Sequence, residues 1–419
     1  MFTKWPKWVG VLIFVVLCLF LFVLMNSGNN PDHEQHGVDP SIADHEEMLQ
    51  QSTPTTGAVI SVAMGYSIET FNSFIKSLRY TSCEADIFLA VKGEILQQKE
   101  FQALFEEQNV TAIPWDVIQK ETCDQQSTTK PISNEYGFHI TNDTSSFICA
   151  EGITASLARY VFYEQVVEHY VESNGQIFIS DFRDAFFQQD PFQHFSKYLD
   201  GAELMVFEEL AAEKIGWWDT QWIEENDNYT GDPGYSHTTA WVKNCFGLDE
   251  KTTNKTVLCS GTIGGTTLGM KDYLKRFLAK VQQMRTVNER HCILSTGVDQ
   301  GYHNFLVYAT DWQFGVKIEK NAEGLVNTMG RSCLRYGIGK GPLKVFPLKY
   351  GVAIDQFGFA LNVDTSRSTV IHQLDRCTME GGGSYADILS SKVLPRMYAE
   401  LNVTNRGREE AKGVSVNVH

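Results

Sequence analysis

Apolar and polar positions alternate along the front of the chain in a regular way. AVISVAM (58–64) is a short apolar run that predicts a buried strand. SIETFNSFIKSLRYT (67–81) places Phe71, Phe74, Ile75 and Leu78 at helical spacing, with Ser67 as a possible cap. ADIFLAV (85–91) predicts a second strand, ILQQKEFQALFEEQ (95–108) a second helix and VTAIPWD (110–116) a third strand. After a polar stretch, GITASLARYVFYEQVVEHYVES (152–173) predicts a long helix and QIFIS (176–180) a fourth strand. Strand–helix–strand repetition predicts a mainly parallel α/β sheet with right-handed crossovers. In such sheets ligands bind beyond the carboxyl ends of the strands.

The fourth strand runs directly into FISDFRDAFFQQDPF (178–192), so Asp181, Arg183 and Asp184 stand at such an end. Paired carboxylates there can hold Mn²⁺ or Mg²⁺, which prefer oxygen ligands and keep positions free for phosphate oxygens. Arg183 could pair with a carboxylate or help to hold phosphate. A salt-bridged turn leading into Asp190-Pro191 explains the same residues without any ligand. Downstream, VIHQLDR (370–376) puts His372 after a short apolar run, as a ligand or as an ordinary buried histidine. GVDQGYHN (297–304) offers Asp299 and Gln300 between glycines, with a helix N-cap as the plain reading of Asp299. CSGTIGGTTLG (259–269) is glycine-rich, which allows close backbone approach, or is simply a loop between a strand and a helix. Arg159 lies in the helix before the fourth strand, and Trp217, Trp218 and Trp222 could stack on sugar rings or pack a loop.

Taken in order, these segments resemble the nucleotide-sugar glycosyltransferases of GT-A type. The similarity spans most of residues 58–377, and ISDFRDAFFQQDPF is its most specific part. It departs from the common Asp-x-Asp pattern, because Arg183 fills the third position and the carboxylates are three apart. The resemblance implies a GT-A (Rossmann-like) mixed, mainly parallel sheet flanked by helices. It also implies transfer of a monosaccharide, a hexose or a related sugar, from a nucleotide diphosphate sugar to a glycan or glycoprotein acceptor. It assigns Asp181, Asp184 and His372 to Mn²⁺ (or Mg²⁺), and Arg159, Asp181, Arg183, Gly261 and Gln300 to the donor. Asp299 is placed at the acceptor side, as general base in an inverting enzyme. Two alternatives stay open: a non-catalytic sugar- or nucleotide-binding protein on the same scaffold, and a metal-dependent hydrolase of phosphate esters.

The N-terminal region adds expectations about location. Trp8 to Met25 carries no charged residue, follows Lys4 and Lys7, and is near the short end of what spans a bilayer. This predicts a cytoplasmic tail (1–7), a transmembrane signal anchor (8–25), with a cleaved signal peptide as the alternative, a polar stem (26–57), a luminal catalytic domain (58–401) and a polar tail (402–419). Together with the resemblance, since Golgi glycosyltransferases are built with such an anchor and stem, this implies a single-pass type II protein of the Golgi membrane. Asn-x-Ser/Thr triplets at Asn109, Asn142, Asn228, Asn254 and Asn402 and eight cysteines outside the anchor agree with an oxidising lumen. Closeness in sequence pairs Cys245 with Cys259 and Cys333 with Cys377. The net charge of −16 argues against nucleic acid as a partner.

Overall fold

The structure is a computed structural model. It describes residues 57–117, 153–209, 255–286, 297–330, 353–377 and 384–413, with short pieces between them. Its centre is a seven-stranded sheet. The strands are β1 (Gly57–Val62), β2 (Asp86–Val91), β3 (Val110–Pro114), β4 (Gln176–Ser180), β6 (Leu204–Glu208), β7 (Leu258–Thr266) and β8 (Val316–Glu319), in the order β8-β6-β7-β4-β1-β2-β3. Neighbours run parallel except around β7, which is antiparallel to both β6 and β4. The architecture is the expected mixed, mainly parallel sheet flanked by helices.

Side-chain alternation along β1 explains why the sheet is covered twice. Ala58 and Ile60 face a layer built by α3 (Ala155–His169), α5 (Thr267–Thr286) and α6 (Asp299–Ala309). Val59 faces the opposite layer, built by α1 (Ile68–Arg79) and α2 (Lys99–Glu107). Phe71, Phe74, Ile75 and Leu78 of α1 are all buried there, on the face their spacing predicts. In the first layer Tyr160 of α3 stacks on Phe277 of α5 with ring centroids 3.6 Å apart. The predicted helix over 95–108 is interrupted. Gln98 is extended, and only Lys99–Glu107 is α-helical, after a 3₁₀ turn at Ile95–Gln97.

A second, three-stranded sheet carries the chain beyond β4. It joins β5 (Ala185–Phe187), β9 (Val326–Thr328) and β10 (Val370–His372), with β10 in the centre. A third apolar cluster lies beside it, containing Phe186, Met329, Phe359, Ile371 and Tyr385. The disulfide Cys333–Cys377 staples this region, as sequence proximity predicts. The other pairing differs: Cys245 joins Cys292, while Cys259 is a buried free thiol. Cys259 lies inside β7, where strand pairing fixes its backbone, so nearness in sequence to Cys245 is no guide.

CSGTIGG is a strand rather than a loop, and β7 is buried along nearly all of its length. The last described helix is α7 (Leu394–Gly413). Among the described residues no helix is long and apolar enough to cross a membrane. The two 20-residue helices, α5 and α7, are interrupted by charges such as Lys271, Asp272, Arg396 and Glu400, which a bilayer core does not accept. The stretch 8–25 and the stem to residue 56 lie outside the described residues. The transmembrane helix, the membrane as partner, the type II topology and the Golgi localisation are therefore withdrawn.

One buried acid makes folding pH-dependent. Glu319 at the end of β8 accepts a hydrogen bond from the Leu325 amide at 3.0 Å. Burial pushes its carboxyl up from an ordinary 4.5 to about 7, against the opposing pull of that amide and of Lys317. Below pH 4.5 the group is protonated whether folded or not. Between 4.5 and 7 only the unfolded chain ionises, so stability falls as pH rises, and above 7 the full penalty is present. Glu319→Gln keeps an acceptor for Leu325 without the charge. Urea unfolding at pH 5 and pH 8 is expected to show the wild type losing up to about 3 kcal/mol more than the variant. Equal losses in the two proteins would contradict the assignment.

Candidate active site

The site forms where the chain leaves one sheet for the other. β4 ends at Ser180, and its last backbone rung is the Asp181 amide donating to the Gly261 carbonyl of β7 at 2.7 Å. The chain then turns through Phe182 and Arg183 and enters β5 at Ala185. β5 pairs with β10 in a register that sets Ala185 opposite His372. The Leu374 amide also donates to the Asp184 carbonyl, at 3.2 Å. Asp181 and Asp184 thus flank the crossing, and strand pairing brings His372 to them from 188 residues beyond Asp184.

The geometry is compact. One ligand atom each from Asp181, Asp184 and His372 lie within 4.8 Å of one another. His372 Nε2 is 3.3 Å from Asp181 Oδ2 and 3.6 Å from Asp184 Oδ1. His372 is fully buried, Asp184 nearly so, and Asp181 partly open to solvent. Gly261 backs the cluster. A Cβ there would stand 2.5 Å from both Asp181 Oδ2 and His372 Cε1, so only glycine leaves the ligands room. Two carboxylates and an imidazole suit Mn²⁺ or Mg²⁺, and the nitrogen favours the former.

Electrostatics explains how so many charges are tolerated. Burial alone would raise the Asp181 carboxyl, but Arg159 and His372 outweigh it and hold it well below the usual carboxylate range. Asp184 is pushed up, first by burial and then by Asp181 and Asp375, with His372 acting against them. Burial disfavours the His372 imidazolium, yet Cys259, Asp184 and Asp181 together hold its pKa well above the ordinary value. A proton and a cation therefore compete for His372, since only neutral imidazole has a lone pair to give.

Arg159 reaches across from α3. Its guanidinium pairs with Asp181 on one side and with Asp299 Oδ2 at 2.5 Å on the other. Asp299 is 3% exposed, and Ser260 Oγ donates to the same carboxylate oxygen at 2.8 Å. The start of α6 is fixed to β7 by Asn304, whose side chain both accepts from the Leu258 amide and donates to the Leu258 carbonyl, each at 2.8 Å. A wall of buried hydroxyls lies behind Arg159: Tyr160 donates to the Ser260 carbonyl at 3.3 Å, and Tyr273 pairs with His303 at 2.7 Å.

Of the residues singled out from sequence, Asp181, Asp184, His372, Gly261, Arg159 and Asp299 converge here. Gln300 is instead engaged by Glu209: its amide donates to Glu209 Oε2 at 2.6 Å. Arg183 is exposed and pairs with Asp375 at 2.7 Å. Trp217, Trp218 and Trp222 lie outside the described residues. Sequence reading missed four participants. Ser260 and Cys259 lie in the stretch noticed for its glycines. Glu209, buried just beyond β6, accepts from Gln300 and, at 3.0 Å, from Gln373, so it ties the neighbour of Asp299 to the neighbour of His372. Gln373 itself sits in the left-handed region at φ 58°.

No family model matches the sequence, and no curated protein matches it. Among solved structures, the chain is similar to a galactosyltransferase, LgtC, in complex with donor and acceptor sugar analogs. Identity is 12%, coverage is 80% of this chain and 96% of that one, and the TM-score is 0.39. The active-site mutant Q189E of LgtC gives 10% identity, coverage of 80% and 96%, and a TM-score of 0.37. Mouse xyloside xylosyltransferase 1 in its apo form gives 10% identity, coverage of 76% and 98%, and a TM-score of 0.38. Superposition at these scores is loose, and the chemistry of the site is carried by its own residues.

The Gly261 position gives a direct check of the geometry. Gly261→Ala is expected to cost about 1–3 kcal/mol through overpacking. It is also expected to weaken Mn²⁺ binding about tenfold or more by displacing Asp181 and His372. Gly93→Ala is the control, because a Cβ at Gly93 meets nothing within 4 Å. Calorimetric titration with Mn²⁺ reads both variants, and wild-type affinity in Gly261→Ala would contradict the placement of the ligands.

Proposed function

We propose that this chain is a metal-dependent glycosyltransferase. It moves a monosaccharide from a nucleotide diphosphate sugar to a glycan or glycoprotein acceptor. The observation that carries this reading is the convergence of Asp181, Asp184 and His372 within 4.8 Å at the carboxyl end of β4, with Arg159 linking Asp181 to Asp299. That combination gives a cation seat beside a buried carboxylate at the end of an α/β sheet, where ligands of such sheets bind.

Asp181, Asp184 and His372 hold Mn²⁺ or Mg²⁺ in this reading. The bound cation supplies charge stabilisation for a departing nucleoside diphosphate. The remaining roles belong to the chain's own groups. Arg159 keeps Asp181 ionised and fixes Asp299 at a set distance from the cation seat. Asp299 is placed to orient the sugar or to accept an acceptor proton, and Ser260 holds its carboxylate against rotation. Gly261 leaves the ligating side chains their room, and Gln300 is assigned to the donor in this reading. Arg183 stands at the rim, where leaving Asp375 for a phosphate costs little, because an exposed ion pair contributes little.

Nucleoside diphosphate release tests the reading. The full-length chain is incubated with a panel of nucleotide sugars and a mixed glycan acceptor, with Mn²⁺ or with chelator. Release from one donor, dependent on metal and lowered at least about 100-fold by Asp181→Ala, is the expected result. Binding of nucleotide with no release from any donor would favour a non-catalytic binding protein. Release of inorganic phosphate, indifferent to acceptor, would favour a phosphate-ester hydrolase.

A further inference from the structure

Cys259 is not one of the three ligating residues, yet its sulfur is in contact with one of them, His372. It is one of two free cysteines among the described residues and is 1% exposed. Its Sγ lies 3.4 Å from His372 Nδ1, on the opposite edge of the ring from the carboxylates. The Gln373 side-chain amide donates to the same sulfur at 3.7 Å. The sulfur thus sits among N–H donors, a setting for an acceptor.

An imidazole that ligates a cation through one nitrogen carries its proton on the other, and that N–H needs a partner. At His372 the ligating nitrogen is Nε2, which faces Asp181 and Asp184. The proton then belongs on Nδ1, and the atom it meets is the Cys259 sulfur. We propose that Cys259 is a positioning residue: its sulfur accepts the Nδ1–H of His372, fixes the tautomer and ring orientation, and so presents the Nε2 lone pair to the cation seat. In many metal sites a carboxylate or carbonyl plays this part. Here β7 is buried along nearly all of its length, and the sulfur of Cys259 takes this part.

This inference rests on the cation-site reading, and the test separates the two. Mn²⁺ affinity of the full-length chain is measured by calorimetry and by the loss of free Mn²⁺ signal in electron paramagnetic resonance, with no sugar donor present. Variants are Cys259→Ala, Cys259→Val and Cys259→Ser, with Asp184→Asn as the ligand control. Thermal unfolding in chelator reports on folding for each. Cys259→Ala and Cys259→Val are expected to weaken Mn²⁺ binding about 10–100-fold. Cys259→Ser, which keeps an acceptor near Nδ1, is expected to recover most of the loss. Wild-type affinity in the Ala and Val variants, with Asp184→Asn still defective, overturns the role of Cys259 alone. An equal loss in Ser, Ala and Val, tracking a fall in unfolding temperature, reduces Cys259 to packing and also overturns it. A wild-type protein with no saturable Mn²⁺ binding overturns both readings.

Discussion

Two carboxylates and an imidazole cannot be buried side by side unless positive charge lies among them. Removing charge from water is costly, and unpaired like charges add to that cost. The site meets this constraint with Arg159, which pairs with Asp181 and Asp299, and with a proton on His372 for which a cation can be exchanged. Everything else near the site serves to hold these charges in place. The Asp181–Gly261 backbone rung fixes the first carboxylate, and the β5–β10 register fixes the imidazole beside it.

The placement is over-determined. Asn304 bolts α6 to β7, and Ser260 of β7 grips Asp299 of α6. Glu209 spans from Gln300 to Gln373, joining the α6 side of the site to the β10 side. Gln373 holds a left-handed backbone conformation that few non-glycine residues adopt. Gly330 gives its side chain space, since a Cβ there would meet Gln373 Oε1 at 2.3 Å. A disulfide five residues after His372, at Cys377, anchors the same segment. Such support is what holds ligand atoms within the narrow tolerances of a coordinating site.

Parts of this were legible in the sequence for plain physical reasons. β1, β2 and β4 are short apolar runs, and α1 shows its buried face at helical spacing, so burial alone writes them into the pattern. β7 was hidden because its glycines carry no strand propensity; they are needed where Phe195, Glu203 and Asp181 crowd the strand. β5 has three residues, Ala185–Phe187, too few to show a period. The acidic turn and His372 stood out by residue type, but their meeting depends on a pairing across two sheets that no local pattern encodes. Glu209 and Cys259 were invisible for the same reason: a buried polar group is explained by its partner, and the partner is remote in sequence. Cys245 shows the limit of proximity arguments, joining Cys292 across 47 residues rather than the nearer Cys259.

The central claim is that these three side chains form one cation site. Anomalous diffraction from crystals of the protein grown with Mn²⁺ tests it most directly. The expected result is a single strong peak in coordination contact with Asp181, Asp184 and His372 Nε2 together. A peak elsewhere on the molecule, or none beside His372 at saturating Mn²⁺, would contradict it.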